Sequence, residues 1–286
     1  MLHARYVRCD VFSSQPFGGN PLAVFTDARS LDPPTMQAIA REMNLSETAF
    51  VLPGREKGIP KIRIFTPKLE LGFAGHPTLG TAFILARPLQ TDSLVLETGV
   101  GNIAVYVARD GADPTAATMD LPLPVVAAYN GSATLLAGLG LSSAVTPIRQ
   151  YTFGITHLLV QVATAEQVQH VTPNLEMLAA LGPVGVVVFA QTGTAIRARV
   201  FLPGAGVAED PATGSAVAPI ALHVHSHATS PIGRTLSITQ GTEIGRPSEL
   251  RAELVFEEDR LTRILVGGQC VLLGRGEWQL PGRSTD

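Results

Sequence analysis

The feature that most limits what this chain can fold into is that much of it is written twice. The segments RIFTP (63–67) and RVFLP (199–203) share an R-x-F-x-P spacing at an offset of 136 residues. Gly80-Thr81-Ala82 then aligns with Gly214-Ser215-Ala216 at an offset of 134, which sets His76 of FAGHP opposite Asp210 of EDPATG. The match extends outward. GGNPLAV (18–24) aligns with GITHLLV (154–160), residues 31–44 with 172–182, and the apolar runs 48–52 with 184–189. Gly99 and Gly241 fall in equivalent turns. A chain of 286 residues duplicated in this way predicts two similar α+β lobes related by a pseudo-two-fold axis, with a ligand cleft between them.

Each half reads as two strands, a helix, two strands, a second helix and further strands. The strands follow from β-branched runs bounded by Gly and Pro. LDPPTMQAIAREMN (31–44) predicts a helix: Asp32 stands near its start, two prolines follow, and Met36, Ile39 and Ala40 keep helical spacing. The second helices are expected over 78–86 and 213–225, with Pro219 kinking the latter or lying in its first turns. The Pro-rich stretch 119–132 is the expected hinge. It divides the chain into an N-terminal lobe (1–125) and a C-terminal lobe (126–286), the last strand being free to return to the first lobe.

Hydrophobic residues make up 45% of the chain and charged ones 16%, against roughly 25% charged in an average domain, so there is ample material for buried cores. The net charge of −3 without any basic run argues against nucleic acid and anionic membrane as partners. Cys9 and Cys270 lie near opposite ends in apolar surroundings, as reduced core thiols do, and neither has metal-ligand spacing. No signal-like apolar region or run of about 18 apolar residues occurs, so a soluble, cytoplasmic protein is expected. His223, His225 and His227 form H-x-H-x-H, but on a helix residues two apart face different ways, so a surface or helix-end cluster is expected rather than a metal site. GFAGHPTLG lacks the GK[ST] ending of a phosphate loop, and TGSAV is not a nucleophile elbow.

In both copies an extended segment runs through a glycine turn into a helix. Unpaired backbone N–H groups at a helix start hold anions, and two such ends would face each other across the cleft. A small carboxylated substrate could be gripped there between His76 and Asp210. Each candidate also has a plainer reading: His76 as a packed or capping residue, Asp210 before a proline as a turn residue, Ser215 as a helix cap. Glu47 leads a polar tripeptide into an apolar strand. It is either a solvated strand-start carboxylate or, if that edge borders the cleft, a part-buried acid/base group whose pKa rises toward neutrality.

SETAFV (46–51), RIFTP with FAGHPTLGTA (63–82), EDPATGSA (209–216) and QGTEIGRPS (240–248) together resemble the phenazine-biosynthesis isomerase family, within the diaminopimelate-epimerase fold superfamily. The matched blocks are in order and run from GNP at 19–21 to GRPS at 245–248. The resemblance implies two lobes, each a sheet wrapped around a central helix, a homodimer and no cofactor. It implies that Glu47, His76 and Asp210 are catalytic, and that Gly75, Gly214 and Ser215 bind substrate. The paired cysteines of the related epimerases have no counterpart, since neither Cys9 nor Cys270 lies in a matching block. The activity implied is isomerisation of trans-2,3-dihydro-3-hydroxyanthranilate by proton transfer through Glu47. Isomerisation or epimerisation of another small amino acid, and a non-catalytic binding role, are the alternatives.

Overall fold

The computed structural model describes residues 2–229 and 232–280. The first half contains β1 (Leu2–Val11), β2 (Asn20–Phe25), α1 (Pro33–Met43), β3 (Glu47–Pro53), β4 (Pro60–Phe65), β5 (Glu70–Leu71), α2 (Gly75–Leu89), β6 (Ser93–Thr98), β7 (Gly101–Asp110) and β8 (Asp113–Pro122). The second contains β9 (Val125–Ala128), α3 (Ser132–Leu139), β10 (Arg149–Phe153), β11 (Ile155–Gln161), α4 (Ala165–Gln169), α5 (Leu175–Ala179), β12 (Gly185–Thr192) and β13 (Ala195–Leu202). It ends with β14 (Val207–Asp210), α6 (Gly214–His227), β15 (Thr235–Gln240), β16 (Ser248–Glu257) and the long β17 (Arg260–Leu280).

Strand pairing closes on itself twice. In the first half β1–β2–β3–β4–β6–β7–β8–β17 returns to β1. In the second β9–β10–β11–β12–β13–β15–β16–β17 leads to β8, which two residues join to β9. Each circuit wraps a helix that is apolar almost all round, as a helix enclosed by a sheet must be. Residues 75–84 of α2 are all buried, as are 214–221 of α6. β17 serves both circuits, pairing with β16 and β8 early and with β1 from Cys270 to Leu280.

The repeated letters have structural causes. Arg63 forks onto Glu70 (2.7 and 2.6 Å) and Arg199 onto Glu209 (2.9 and 2.8 Å). Each guanidinium also lies over the phenylalanine two residues on, Phe65 at 5.2 Å and Phe201 at 5.0 Å, because alternate strand residues share a face. The two R-x-F motifs are therefore one strand-to-strand clasp made twice.

Helix α1 begins where the sequence predicts. The Asp32 side chain accepts from the Thr35 amide at 3.0 Å, and the prolines occupy first-turn positions that need no donor. Pro219 lies at the sixth position of α6, within its first turns as expected, and the helix continues to His227. Two expectations are corrected. The stretch 119–132 is mostly strand, not a hinge, because buried Met119 and Leu121 alternate into the core and the prolines fall at strand ends. His223 is not on the surface: it is fully buried, with Nδ1 2.9 Å from Tyr151 Oη and Nε2 2.7 Å from Thr146 Oγ1. No helix among the described residues is long and apolar enough to cross a membrane.

Candidate active site

Helices α2 and α6 meet at their N-termini. A Cβ built on Gly75 would lie 2.5 Å from the carbonyl carbon of Gly214 and 2.6 Å from the Ser215 nitrogen, so only glycine allows the two backbones this approach. Neither start has a side-chain cap: the residues in cap position, Ala74 and Thr213, make no such bond. Two uncapped helix starts side by side concentrate partial positive charge and unspent amide donors at one point.

This junction changes the equivalence drawn from sequence. Gly75 and Gly214 both open helices and stand 139 residues apart, not 134. Glu70 and Glu209 in the matching clasps are also 139 apart. The second copy is three residues longer between its R-x-F motif and its helix, where Pro203–Ala205 form a 3-10 turn. The true counterpart of His76 is thus Ser215, each being the second residue of its helix, and Asp210 at the end of β14 corresponds to Leu71 at the end of β5. The similarity of GTA to GSA suggested the other alignment.

The expected residues nonetheless converge. Glu47 opens β3 and is 7% exposed; His76 is 2%, Asp210 3% and Ser215 8% exposed. Glu47 Oε2 lies 3.4 Å from His76 Nδ1, with no hydrogen bond of its own, and His76 Nε2 is likewise unpartnered. Burial holds the imidazole down at a pKa of about 3, so His76 is neutral and the contact is not an ion pair. Burial drives the Glu47 carboxyl well above the ordinary carboxylate range, and the nearby Asp210 charge pushes it further.

Asp210 is held differently. Burial raises it to about 6, while hydrogen bonds from Thr213, Ser46 and Asn20 oppose the rise. Thr213 Oγ1 donates to Oδ2 at 2.6 Å and Asn20 Nδ2 to Oδ1 at 2.8 Å. Gln240 Nε2 donates to the Asp210 carbonyl at 2.7 Å and to Thr213 Oγ1 at 3.0 Å. Two buried carboxyls lie in unlike surroundings: Asp210 is richly supplied with donors, whereas Glu47 has one oxygen with none, and its proton affinity is raised above the ordinary carboxylate range.

Ser215 Oγ lies 3.0 Å from Nε2 of His157, which is 1% exposed. Asn20, Ser46, His157, Thr213 and Gln240 were not singled out from sequence. Asn20 stands in the GNP block and His157 in a repeat-matched segment, which were the available signals. A groove of about 1100 Å³ between α2 and the β1–β17 pair is lined by Tyr6, Phe83, Arg87 and Gln269, and by none of the site residues.

The family model for phenazine biosynthesis-like proteins (PhzC-PhzF) matches residues 9–276. A trans-2,3-dihydro-3-hydroxyanthranilate isomerase from Pseudomonas fluorescens is 44% identical over 271 residues, covering 95% of this chain and 98% of the relative. Among solved structures, a PhzF-family phenazine biosynthesis protein from Bacillus anthracis superposes with a TM-score of 0.85 at 24% identity, over 98% of this chain and all of that one. A hydroxyproline epimerase from Agrobacterium vitis superposes with a TM-score of 0.66 at 12% identity, over 96% and 92% of the two chains. The last two likenesses concern the fold alone.

Proposed function

This chain belongs to the phenazine biosynthesis-like (PhzC-PhzF) family, and from that membership we propose that it is a cofactor-independent isomerase of trans-2,3-dihydro-3-hydroxyanthranilate. The observation that carries the reading is Glu47: a buried carboxyl with one oxygen unpartnered and its pKa driven upward, beside two uncapped helix starts. Glu47 removes the proton from C3 of the ring and returns it at C1 on the same face. The resulting dienol relaxes to a reactive aminoketone. One group acts first as base and then as acid, which requires a pKa near operating pH and little competing water.

Neutral His76 and charged Asp210 orient the substrate's amine and hydroxyl. The amides around Gly75, Gly214 and Ser215 hold its carboxylate, which prevents the substrate from shifting during the transfer. A homodimer in the cytoplasm, with lobes meeting near residue 125, completes the reading.

The test is to follow the dihydroaromatic acid by NMR in D₂O with the wild-type protein and with Glu47→Gln. Consumption of substrate with hydrogen chemistry at C1 and C3 is expected for the wild type. Glu47→Gln keeps shape but can neither take up the C3 proton nor return it, so turnover should drop at least 10³-fold, roughly the upper part of the range for a positioned acid/base. A folded wild-type protein that leaves the substrate unchanged would sink the assignment.

A further inference from the structure

The strand register gives Glu47 a counterpart in the second half. Thr48 pairs with Phe65 and Val186 with Phe201, so Glu47 corresponds to Gly185, which opens β12 as Glu47 opens β3. Gly185 has no side chain, and the volume above it is filled by His157 from the neighbouring strand. The two residues pair across β11 and β12, and a Cβ on Gly185 would stand 2.2 Å from His157 Nδ1. In the first half a strand-start carboxyl faces the helix-start residue His76; in the second half an imidazole faces the helix-start residue Ser215.

We propose that His157 is a positioning residue, whose Nε2–H fixes the Ser215 hydroxyl as a donor aimed at an anionic oxygen of the substrate. The argument is one of proton accounting. Burial keeps the imidazole neutral, so a single ring nitrogen bears hydrogen. Nδ1 is buried and has no partner, whereas Nε2 has Ser215 Oγ at 3.0 Å. Placing the hydrogen on Nδ1 would bury an orphaned N–H; placing it on Nε2 leaves only a lone pair unspent and satisfies the donor. Ser215 must then accept from His157, and its own hydrogen is left to point elsewhere. The hydroxyl sits at the α6 start beside the Gly75–Gly214 junction, where the backbone amides attract anions. Tautomer control at His157 thus makes Ser215 an obligate donor, selecting a substrate oxygen over a substrate N–H at that point.

The inference rests on the proposed reaction only for the identity of the substrate, and its test separates the two. Two-bond ¹H–¹⁵N correlation on histidine-labelled protein at pH 7, with His157 assigned by its loss in His157→Gln, should show a neutral imidazole protonated at Nε2. An Nδ1–H tautomer overturns the proposal whatever the enzyme turns over. In kinetics, Ser215→Ala and His157→Phe should each lower kcat/KM by roughly tenfold to a hundredfold, the range for one hydrogen bond to a charged group, with most of the loss in KM. The double variant should be no worse than Ser215→Ala alone, because both changes remove one interaction. His157→Gln offers an amide N–H near the Nε2 position and should recover most of the activity. Independent, multiplying losses, or a His157→Phe enzyme as active as wild type, would show that His157 merely packs. If His157→Phe does not fold, the tautomer and the Gln variant still decide.

Discussion

Glu47 is a carboxyl kept from water, and that placement has a thermodynamic signature independent of catalysis. Its folded pKa is raised by burial and then by Asp210, while the unfolded value is about 4.3. Above that value the unfolded chain gives up the proton and the folded chain does not, so stability falls with rising pH until the folded group also ionises. Glu47→Gln removes this loss. Its melting temperature should match the wild type near pH 4 and exceed it increasingly toward pH 8. Each unit of pKa elevation corresponds to about 1.4 kcal/mol, or about 2–4 °C in a protein of this size. Parallel melting curves for the two proteins across that range would mean that Glu47 titrates as an exposed carboxyl does. Catalysis reports the same coupling from the other side. Asp210→Asn removes the charge that raises Glu47, so the acid limb of the kcat/KM profile should move to lower pH even as the rate falls. An unmoved limb would assign that ionisation to another group.

At the scale of elements, the site is made by two helix starts that touch, and a single methyl group tests it. Gly75→Ala would place Cβ 2.5 Å from Gly214 C, against backbone that cannot rotate away. Overpacking of this kind costs about 1–3 kcal/mol, and it also separates the amides that would hold the substrate. Melting should shift down by several degrees, and kcat/KM should fall by far more than that modest destabilisation explains. Wild-type kinetics in a folded Gly75→Ala protein would show that the junction is not where substrate sits. Much of this level was legible in the sequence, because helix starts, strands and glycine turns are local chemistry. Asp32 announced α1, and the R-x-F repeats marked β4 and β13. The equivalence of the helix starts was not legible: a three-residue insertion outweighs a three-letter similarity, and only strand register reveals it. Asn20, His157 and Gln240 stayed hidden for a related reason. Each acts on a residue 27 or more positions away, and periodicity carries no information about such pairings.

Across the whole molecule, the two halves are bound by more than their shared strand. Glu47, His76, Asp210 and Ser215 are each less than 9% exposed, so the groups expected to do the chemistry are shielded from bulk water. The contacts between the two halves have to be firm enough to keep water out. Arg246, from the second half, donates to Asp10 Oδ1 at 2.6 Å and to the carbonyls of Gly18 and Gly19 at 2.7 and 3.0 Å, all in the first half. Directly after Gly19, Asn20 crosses back to hold Asp210 and the Ala212 carbonyl. The order of these contacts along the chain makes Arg246 the support of a loop that in turn supports the charged site carboxylate. Asp10 is fully buried, so Arg246→Ala would leave it with the Phe17 amide as its remaining donor. An uncompensated buried charge costs about 3–5 kcal/mol, and in a chain this long that lowers the melting temperature by of the order of 10 °C. Arg246→Lys keeps the charge but cannot span Asp10 and both carbonyls, so its stability should fall between the two. Activity should follow the loop rather than the charge alone: the Lys variant, measured well below its melting temperature, should still lose kcat/KM because Asn20 is less firmly placed. If Arg246→Lys matches the wild type in both melting and rate, the ion pair alone joins the halves and the Gly18–Asn20 loop needs no support from it.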